Sequence, residues 1–211
     1  MTALLSALAT ADWRRRVFNL YDDVRVLAAS ESPEASHTLW QSGRNELFRD
    51  HPASALDTDA RAGFAGMTVA PYDPAFRFEA IITDDGAGEV LEVATGTDGT
   101  VPFRRLGTVV LQGLGELALW QLGSYGGGLF LPLRDGTAGK PAGSYGGGRY
   151  LLDTVKGAHL GEGRAPGSIV VDLNFAYNPS CAYDEDWACP LPGPDNRLVA
   201  PVPVGELYRE Y

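Results

Sequence analysis

Two hydrophobic periods divide the chain. Trp13, Val17, Leu20, Tyr21, Val24 and Leu27 recur at three and four residues, which puts them on one face of a helix with charges on the other. The stretch from Ser30 to Pro33 interrupts this pattern, and Ser32 before Pro33 supplies an N-cap and a first-turn proline for a second helix. Leu39, Trp40, Gly43, Leu47 and Phe48 form its apolar side. His51-Pro52 ends it, because a residue before proline is driven out of the helical region. From Phe76 the period falls to two: Phe76, Phe78, Ala80 and Ile82 alternate with Arg77, Glu79 and Ile81. Asp84-Asp85-Gly86 marks a turn, Val90, Glu92 and Ala94 follow in alternation, and Asp98-Gly99 is a hairpin signal. Further strands are predicted over 108–112, 116–122, 129–133, 149–154 and 168–176, with a last one over 198–202.

Short turns join most of these segments, so neighbours are expected to be antiparallel. No helical period separates them, which argues against a parallel sheet. The predicted fold is mainly β (α+β): an N-terminal helical pair followed by an antiparallel up-and-down β-barrel. One domain over 1–211 is expected, helical over 1–55 and barrel over 76–211, with a Pro-rich loop at 177–197. A chain of this length buries a sizeable core without a disulfide or metal staple.

Composition narrows the function classes. The formal net charge of -10 repels a nucleic-acid backbone, so no nucleic-acid partner is expected. The only basic run, Arg14-Arg15-Arg16, is diluted by Asp12, Asp22 and Asp23 and reads as a solvated helix face. Lys140 and Lys156 are the only lysines; this Arg-for-Lys bias points to a GC-rich bacterial genome. The N-terminus lacks the basic and apolar regions of a signal peptide, and no stretch reaches the length of a membrane span. A cytoplasmic protein with no membrane partner is expected, and there its two cysteines are ordinarily thiols. The hexapeptide Gly123 to Gly128 recurs at Gly143 to Gly148. Neither copy is followed by the Lys-Ser/Thr of a phosphate cradle, so both read as tight turns and close backbone approaches at barrel corners.

The segment from Gly147 to Glu206 carries the most specific signal. It contains Gly-Gly-Arg149-Tyr150, then Asp172-Leu-Asn174, then Tyr177-Asn178-Pro179-Ser180-Cys181, then Cys189-Pro190-Leu191-Pro192, Asn196-Arg197-Leu198 and Gly205-Glu206. With Trp40, Arg44, Leu47-Phe48, His51-Pro52, Ser54 and the stretch Phe130 to Thr137, this pattern resembles domain-of-unknown-function family 1684. The sequence differs at Leu133, where the family often has Phe, at Val204 where Ala is usual, and at Pro192-Gly193 where two prolines are usual. The resemblance implies a shared architecture and a shared polar cluster, and no reaction.

Taken by themselves, the residues suggest a site. On a strand over 168–176, Ile169, Val171, Leu173 and Phe175 share one face, while Val170, Asp172, Asn174 and Ala176 share the other. Asp and Asn are poor strand formers, so they are expected to face the barrel mouth, face water, or hold the following loop. Arg149 is a bidentate clamp for an anion or the partner of Asp172 or Glu206 in a buried ion pair. Tyr177 is a proton donor or oxyanion binder, or a hydroxyl satisfying a buried carbonyl. His51 caps its helix or joins the site. Cys181 and Cys189 lack the partners of a zinc site. They are packed thiols or a disulfide, and a nucleophilic Cys181 with His51 is a remoter reading.

The leading expectation is a cofactor-independent acid/base enzyme of lyase, cyclase or hydrolase type acting on a polar, anionic small molecule. Asp172, Tyr177 and Arg149 are its catalytic candidates. Tyr150, Asn174, Asn178, His51 and Glu206 are its binding candidates. The alternatives are a non-catalytic small-ligand-binding barrel and an interaction protein whose polar motif only locks the fold. A flavin or haem barrel is a weaker option. No metal is expected. Burial separates these readings: a catalytic Asp172 lies partly open in a cleft, and a structural one is fully paired.

Overall fold

Thr2 accepts the Leu5 N–H at 3.4 Å and opens α1 (Ala3–Ser30). Ser32 accepts the Ala35 N–H at 3.0 Å, with Pro33 in the first turn, and opens α2 (Pro33–Asp50). The break between them is so short that the helices fold back as a hairpin. Gly43 permits their contact, since a Cβ there would lie 2.5 Å from Leu20 Cδ1. Val17, Tyr21 and Val24 of α1 and Trp40 and Leu47 of α2 form the buried seam, tied by a Trp40 Nε1–H bond to the Tyr21 hydroxyl at 3.1 Å. The computed structural model describes residues 2–95, 99–123 and 126–209. Asp98 of the predicted hairpin and Ser124-Tyr125 of the first Gly-rich copy lie outside the described residues.

After a short α3 (Thr58–Ala62), seven strands form one curled antiparallel sheet. They are β1 (Arg77–Thr83), β2 (Val90–Thr95), β3 (Gly99–Leu111), β4 (Gly115–Leu122), β5 (Leu129–Leu133), β6 (Arg149–Asp153) and β7 (Ser168–Asp172). The order is β6-β5-β4-β3-β1-β7, with β2 paired to the first half of β3. β3 pairs with β4 along one edge and with both β1 and β2 along the other, because a bulge at Gly107 bends it. The Gly107 φ is +157°, and a Cβ there would sit 1.8 Å from the Thr83 carbonyl oxygen. The last strand returns to the first, so the sheet curls into a half-barrel. Its remaining edges meet at one place, where Tyr150 and Tyr177 exchange backbone hydrogen bonds of 2.9 and 3.0 Å. Leucines and valines of β3 to β7 fill the concave side, joined by Val202 and Val204 of the C-terminal segment. The helical hairpin covers the other end through Trp40, Phe175 and Tyr177. Among the described residues, no helix is long and apolar enough to cross a membrane.

Three predicted strands differ from the structure: the one expected over 108–112 is the longer β3, which runs from Gly99 to Leu111. The strand expected over 168–176 stops at Asp172, because the Asp172 carboxylate accepts the Asn174 N–H at 3.0 Å and turns the chain into a 3-10 helix (Leu173–Phe175). The side-chain alternation therefore ends there, and Asp172 and Asn174 are both buried rather than facing water. The segment 198–202 bends at Val199 and Ala200 and joins no strand of the sheet. Its neighbour Arg197 forms a single bridge to Arg134, and the following carbonyls are taken by a side chain described below.

Candidate functional site

The predicted site residues fall into two buried clusters, a helix junction and a small cavity. Arg149 is 0% exposed. β6 carries it beneath the C-terminal segment, where one guanidinium nitrogen, Nη1, donates to the Val204 and Glu206 carbonyls and the other, Nη2, to Val202 O at 3.0 Å. The Val202 and Val204 carbonyls lie two residues apart on extended backbone, and the turn at Gly205 (φ +79°) brings the Glu206 carbonyl to the same guanidinium. Nη2 also meets Asp135 Oδ2 at 2.8 Å. Asp135 in turn accepts the Thr137 N–H at 2.7 Å, the Thr137 hydroxyl at 2.6 Å and the Ser144 hydroxyl at 2.7 Å. Burial pushes the Asp135 carboxyl up, but Arg149 and these hydroxyls outweigh it and hold it below the usual carboxylate range. The partner of Arg149 is thus Asp135, not the Asp172 or Glu206 carboxylate. Asp135 escaped notice because Asp135-Gly136-Thr137 has the composition of an ordinary turn.

Asp172 occupies the second cluster and is 2% exposed. Its Oδ2 accepts from the Tyr72 hydroxyl at 3.1 Å and meets Arg77 Nη1 at 3.2 Å. Its Oδ1 accepts from Asn174 Nδ2 at 2.7 Å as well as from the Asn174 N–H. Asn174 binds the Asp73 backbone through its own side chain, with Asp73 N–H to Oδ1 at 2.8 Å and Nδ2 to Asp73 O at 2.9 Å. His37 of α2 donates from Nε2 to the Asn174 carbonyl at 3.0 Å. Burial lowers the His37 pKa, against the opposing effects of that bond and of Asp172, so the neutral ring is favoured. Asp172 and Arg149 share no partner. Arg77 also lines a surface cleft of about 420 Å³ with Arg25 and Arg164. Each of these arginines is already paired, to Asp172, Asp22 and Glu79 respectively.

Tyr150, Tyr177, Asn178 and Glu206 do converge, around Arg44 of α2. Arg44 Nε meets Glu206 Oε1 at 2.5 Å, and its guanidinium lies 5.4, 5.2 and 4.9 Å from the ring centroids of Trp40, Phe48 and Tyr177. Glu206 Oε2 accepts the Asn178 N–H at 2.7 Å and the Tyr183 hydroxyl at 3.1 Å. Arg44 Nη2 and Asn178 Oδ1 are buried without a protein partner among the described residues. The cavity beside them is about 50 Å³, room for ordered water but far below the ~300–1,000 Å³ of a ligand site. Burial raises the Tyr150 and Tyr177 hydroxyls well above the ordinary phenol range, with Cys189 adding to it at Tyr150 and Asp153 at Tyr177. Tyr150 donates to the Pro190 carbonyl at 2.7 Å. His51 stands apart at the end of α2, where its Nδ1 accepts the Ala53 N–H at 3.1 Å and its Nε2 meets Asp12 Oδ2 at 3.2 Å. It shares no contact with Cys181.

A concave feature whose lining, rather than its size, suits a small ligand is elsewhere, on the outer side of β2 to β5 beneath the Pro-rich loop. It is a pocket of about 220 Å³ lined by Phe103, Trp120, Phe130 and Pro132, with Pro190 and Leu191 as its loop wall. The three aromatic rings are buried, and Leu91 (38% exposed) and Leu191 (52%) form its lip. Its buried polar side chains are satisfied internally. Trp120 Nε1–H donates to Asn196 Oδ1 at 2.8 Å, and Asn196 Nδ2 donates to Ala118 O at 2.8 Å and Pro132 O at 3.0 Å. Glu89 and Asp195 give the rim an acidic edge, facing Arg105 at 3.3 and 3.9 Å. The sequence pattern left this pocket unseen, since Phe103 lies before the strand predicted at 108–112 and the loop meets β2 only in three dimensions. Among the described residues, no group of His, Cys, Asp and Glu side chains could hold a metal ion.

A helical hairpin closing a curled antiparallel half-barrel, with a polar lock in its seam and an aromatic pocket on its wall, is the class of protein this fold defines. The chain belongs to the family described as Protein of unknown function (DUF1684), whose sequence model matches residues 62–207. The chain is also similar to the solution NMR structure of the uncharacterised protein from gene locus rrnAC0354 of Haloarcula marismortui. The two share 30% identity over 85% of this chain and 96% of that one, with a TM-score of 0.57. No curated protein matches the chain.

Proposed function

We propose that this protein is a non-catalytic barrel that binds a small, largely apolar ligand in the aromatic pocket beneath the Pro-rich loop. The observation that carries this reading is the pocket's lining: three buried aromatic rings, three prolines, an apolar lip and buried polar side chains that already have partners. A concave, mostly apolar site with a few polar groups at its rim is the usual form of a small-molecule site. Glu89 and Asp195 share the single cation Arg105, and the net negative charge left at the rim favours a neutral or cationic head group over an anion. Acid/base chemistry on an anion at Asp172 and Arg149 has less support. The Asp172 carboxylate and the two terminal guanidinium nitrogens of Arg149 already have protein partners and lie in separate clusters, so a substrate would have to displace those partners.

Thermal unfolding with indole, octan-1-ol, phosphate and succinate tests this reading. Indole or octanol is expected to raise the melting temperature of the wild type, by roughly 5–10 °C at about a hundred times Kd. Phosphate and succinate are expected to leave it unchanged. Leu91→Glu, at the exposed lip, should keep the melting temperature of the free protein and weaken apolar binding roughly tenfold. A shift with phosphate or succinate and none with the apolar compounds would return the function to the polar clusters.

A further inference from the structure

β2 leaves one side of its backbone unused. The Arg105 N–H donates to Glu89 O at 2.8 Å, and Pro102 O, opposite Glu92, turns away to accept the Gly123 N–H at 2.7 Å. Bonded and non-bonded pairs alternate along an antiparallel ladder. Leu91 and Val93 therefore bond to β3, while the N–H and C=O groups of Val90, Glu92 and Ala94 point outward. β1 and β2 share one edge of β3. β7 covers the far side of β1, but among the described residues no strand pairs with the far side of β2. Val90 is 50% exposed, and Glu92 and Ala94 are exposed with it. Neither proline nor lysine, which commonly keep a second strand off a free edge, occurs in β2.

The two faces of β2 differ. Leu91 and Val93 line the aromatic pocket. Glu92 lies on the opposite face and forms no ion pair among the described residues. A strand added at the outward edge would run ~4.8 Å from β2, with alternate side chains beside Leu91 and Val93 at the pocket lip and the others beside Glu92. Glu92, and the negative charge that Arg105 leaves uncompensated at Glu89 and Asp195, favour a basic strand. A second copy of the chain is a poor occupant. Pairing β2 with itself sets Glu92 against Glu92 and joins two chains of net charge -10.

We propose that the free edge of β2 is a strand-addition site for an extended, basic peptide segment of a partner protein, with an apolar side chain at every second position. The outward groups of Val90, Glu92 and Ala94 supply the ladder. The pocket lip at Leu91 seats one apolar side chain, and Glu92 selects lysine or arginine at the intervening positions. Main-chain bonds then provide affinity and the pocket provides specificity, as in other cases of a peptide joining a sheet edge. The seat for the side chain rests on the ligand reading of the pocket; the ladder does not.

A fluorescein-labelled peptide of alternating lysine and leucine with a central tryptophan tests this on the full chain, by anisotropy and hydrogen exchange. Binding is expected to slow exchange of the Val90, Glu92 and Ala94 amides, and indole is expected to compete. Two further peptides carry backbone N-methyl groups, one on its lysines and one on its apolar residues. One of them should lose roughly tenfold or more in affinity and the other should keep it, because only one set of nitrogens faces β2. Glu92→Pro removes an outward donor without touching the bonds to β3. It should keep the melting temperature of the free protein and weaken binding roughly tenfold, against about two- to threefold for Glu92→Gln. The proposal is overturned if the two methylated peptides bind alike, if the three amides exchange as fast as before, or if Glu92→Pro binds as tightly as Glu92→Gln. Protection of those amides by raised protein concentration alone overturns it too, in favour of a second copy. A melting shift with indole but no protection by the peptide sinks strand addition and leaves the ligand pocket standing. Protection by the peptide with no effect of indole keeps the ladder and removes the pocket.

Discussion

At the scale of single residues, charge is used for construction. Arg149 holds three carbonyls and one carboxylate in a fully buried place, so its removal leaves the Asp135 charge buried without its counter-charge. Breaking one side of such a pair costs about 3–5 kcal/mol. Arg149→Met is therefore expected to lower the melting temperature by roughly 10 °C or more, read by circular dichroism. Adding Asp135→Asn should recover only part of the loss, because the Val202, Val204 and Glu206 carbonyls still lack their donor. Full recovery in the double variant would mean that the carbonyl contacts contribute nothing. The importance of Arg149 was legible in the sequence from its place after three glycines. Its partner was not, since Asp135 is fourteen residues away on another strand exit and is identical in type to many surface acids.

At the scale of elements, the helical hairpin is docked on the barrel through polar joints as well as aromatic contacts. One joint is His37, whose neutral ring donates to the Asn174 carbonyl and packs against Trp40 and Phe175. Its folded pKa is lowered by burial. A depressed pKa means that the stability from the neutral ring is fully present above the unfolded value of about 6.5 and is lost as pH falls through the folded one. His159, also lowered by burial and by Arg25, acts in the same direction. The melting temperature should thus decline from pH 7 to pH 5, and His37→Gln, which keeps a donor and cannot titrate, should flatten part of that slope. An unchanged slope in the variant would place the acid sensitivity elsewhere. Both helices and most strands were legible because their periods are strong and their caps, Ser32 above all, act locally. The strand over 168–176 was misread past Asp172, where a single side chain captured a backbone N–H and redirected the chain.

At the scale of the whole molecule, the C-terminal segment closes the structure. Val202 and Val204 fill the core, their carbonyls bind Arg149, and Glu206 joins Arg44 of α2 to the Asn178 backbone. A chain ended at Pro201 loses all of these at once. It is expected to give no cooperative thermal transition and to bind a hydrophobic dye, whereas a chain ended after Tyr208 should melt like the full length. A cooperative transition in the shorter chain would show that the barrel stands without its closing segment.

The sequence by itself determined the helical pair, the antiparallel pairing, the family and part of the polar framework, Arg149, Asp172, Asn174 and Glu206 among it. These depend on periodicity, caps and motif, which are properties of neighbouring residues. Tertiary structure alone decided which charges pair, that the polar motif divides into two locks, and that an aromatic pocket forms under the Pro-rich loop. Those outcomes depend on register across strands and on the bend at Gly107, where a Cβ would meet the Thr83 carbonyl. Contacts of that kind join residues far apart in the chain, and local patterns of polarity do not encode them.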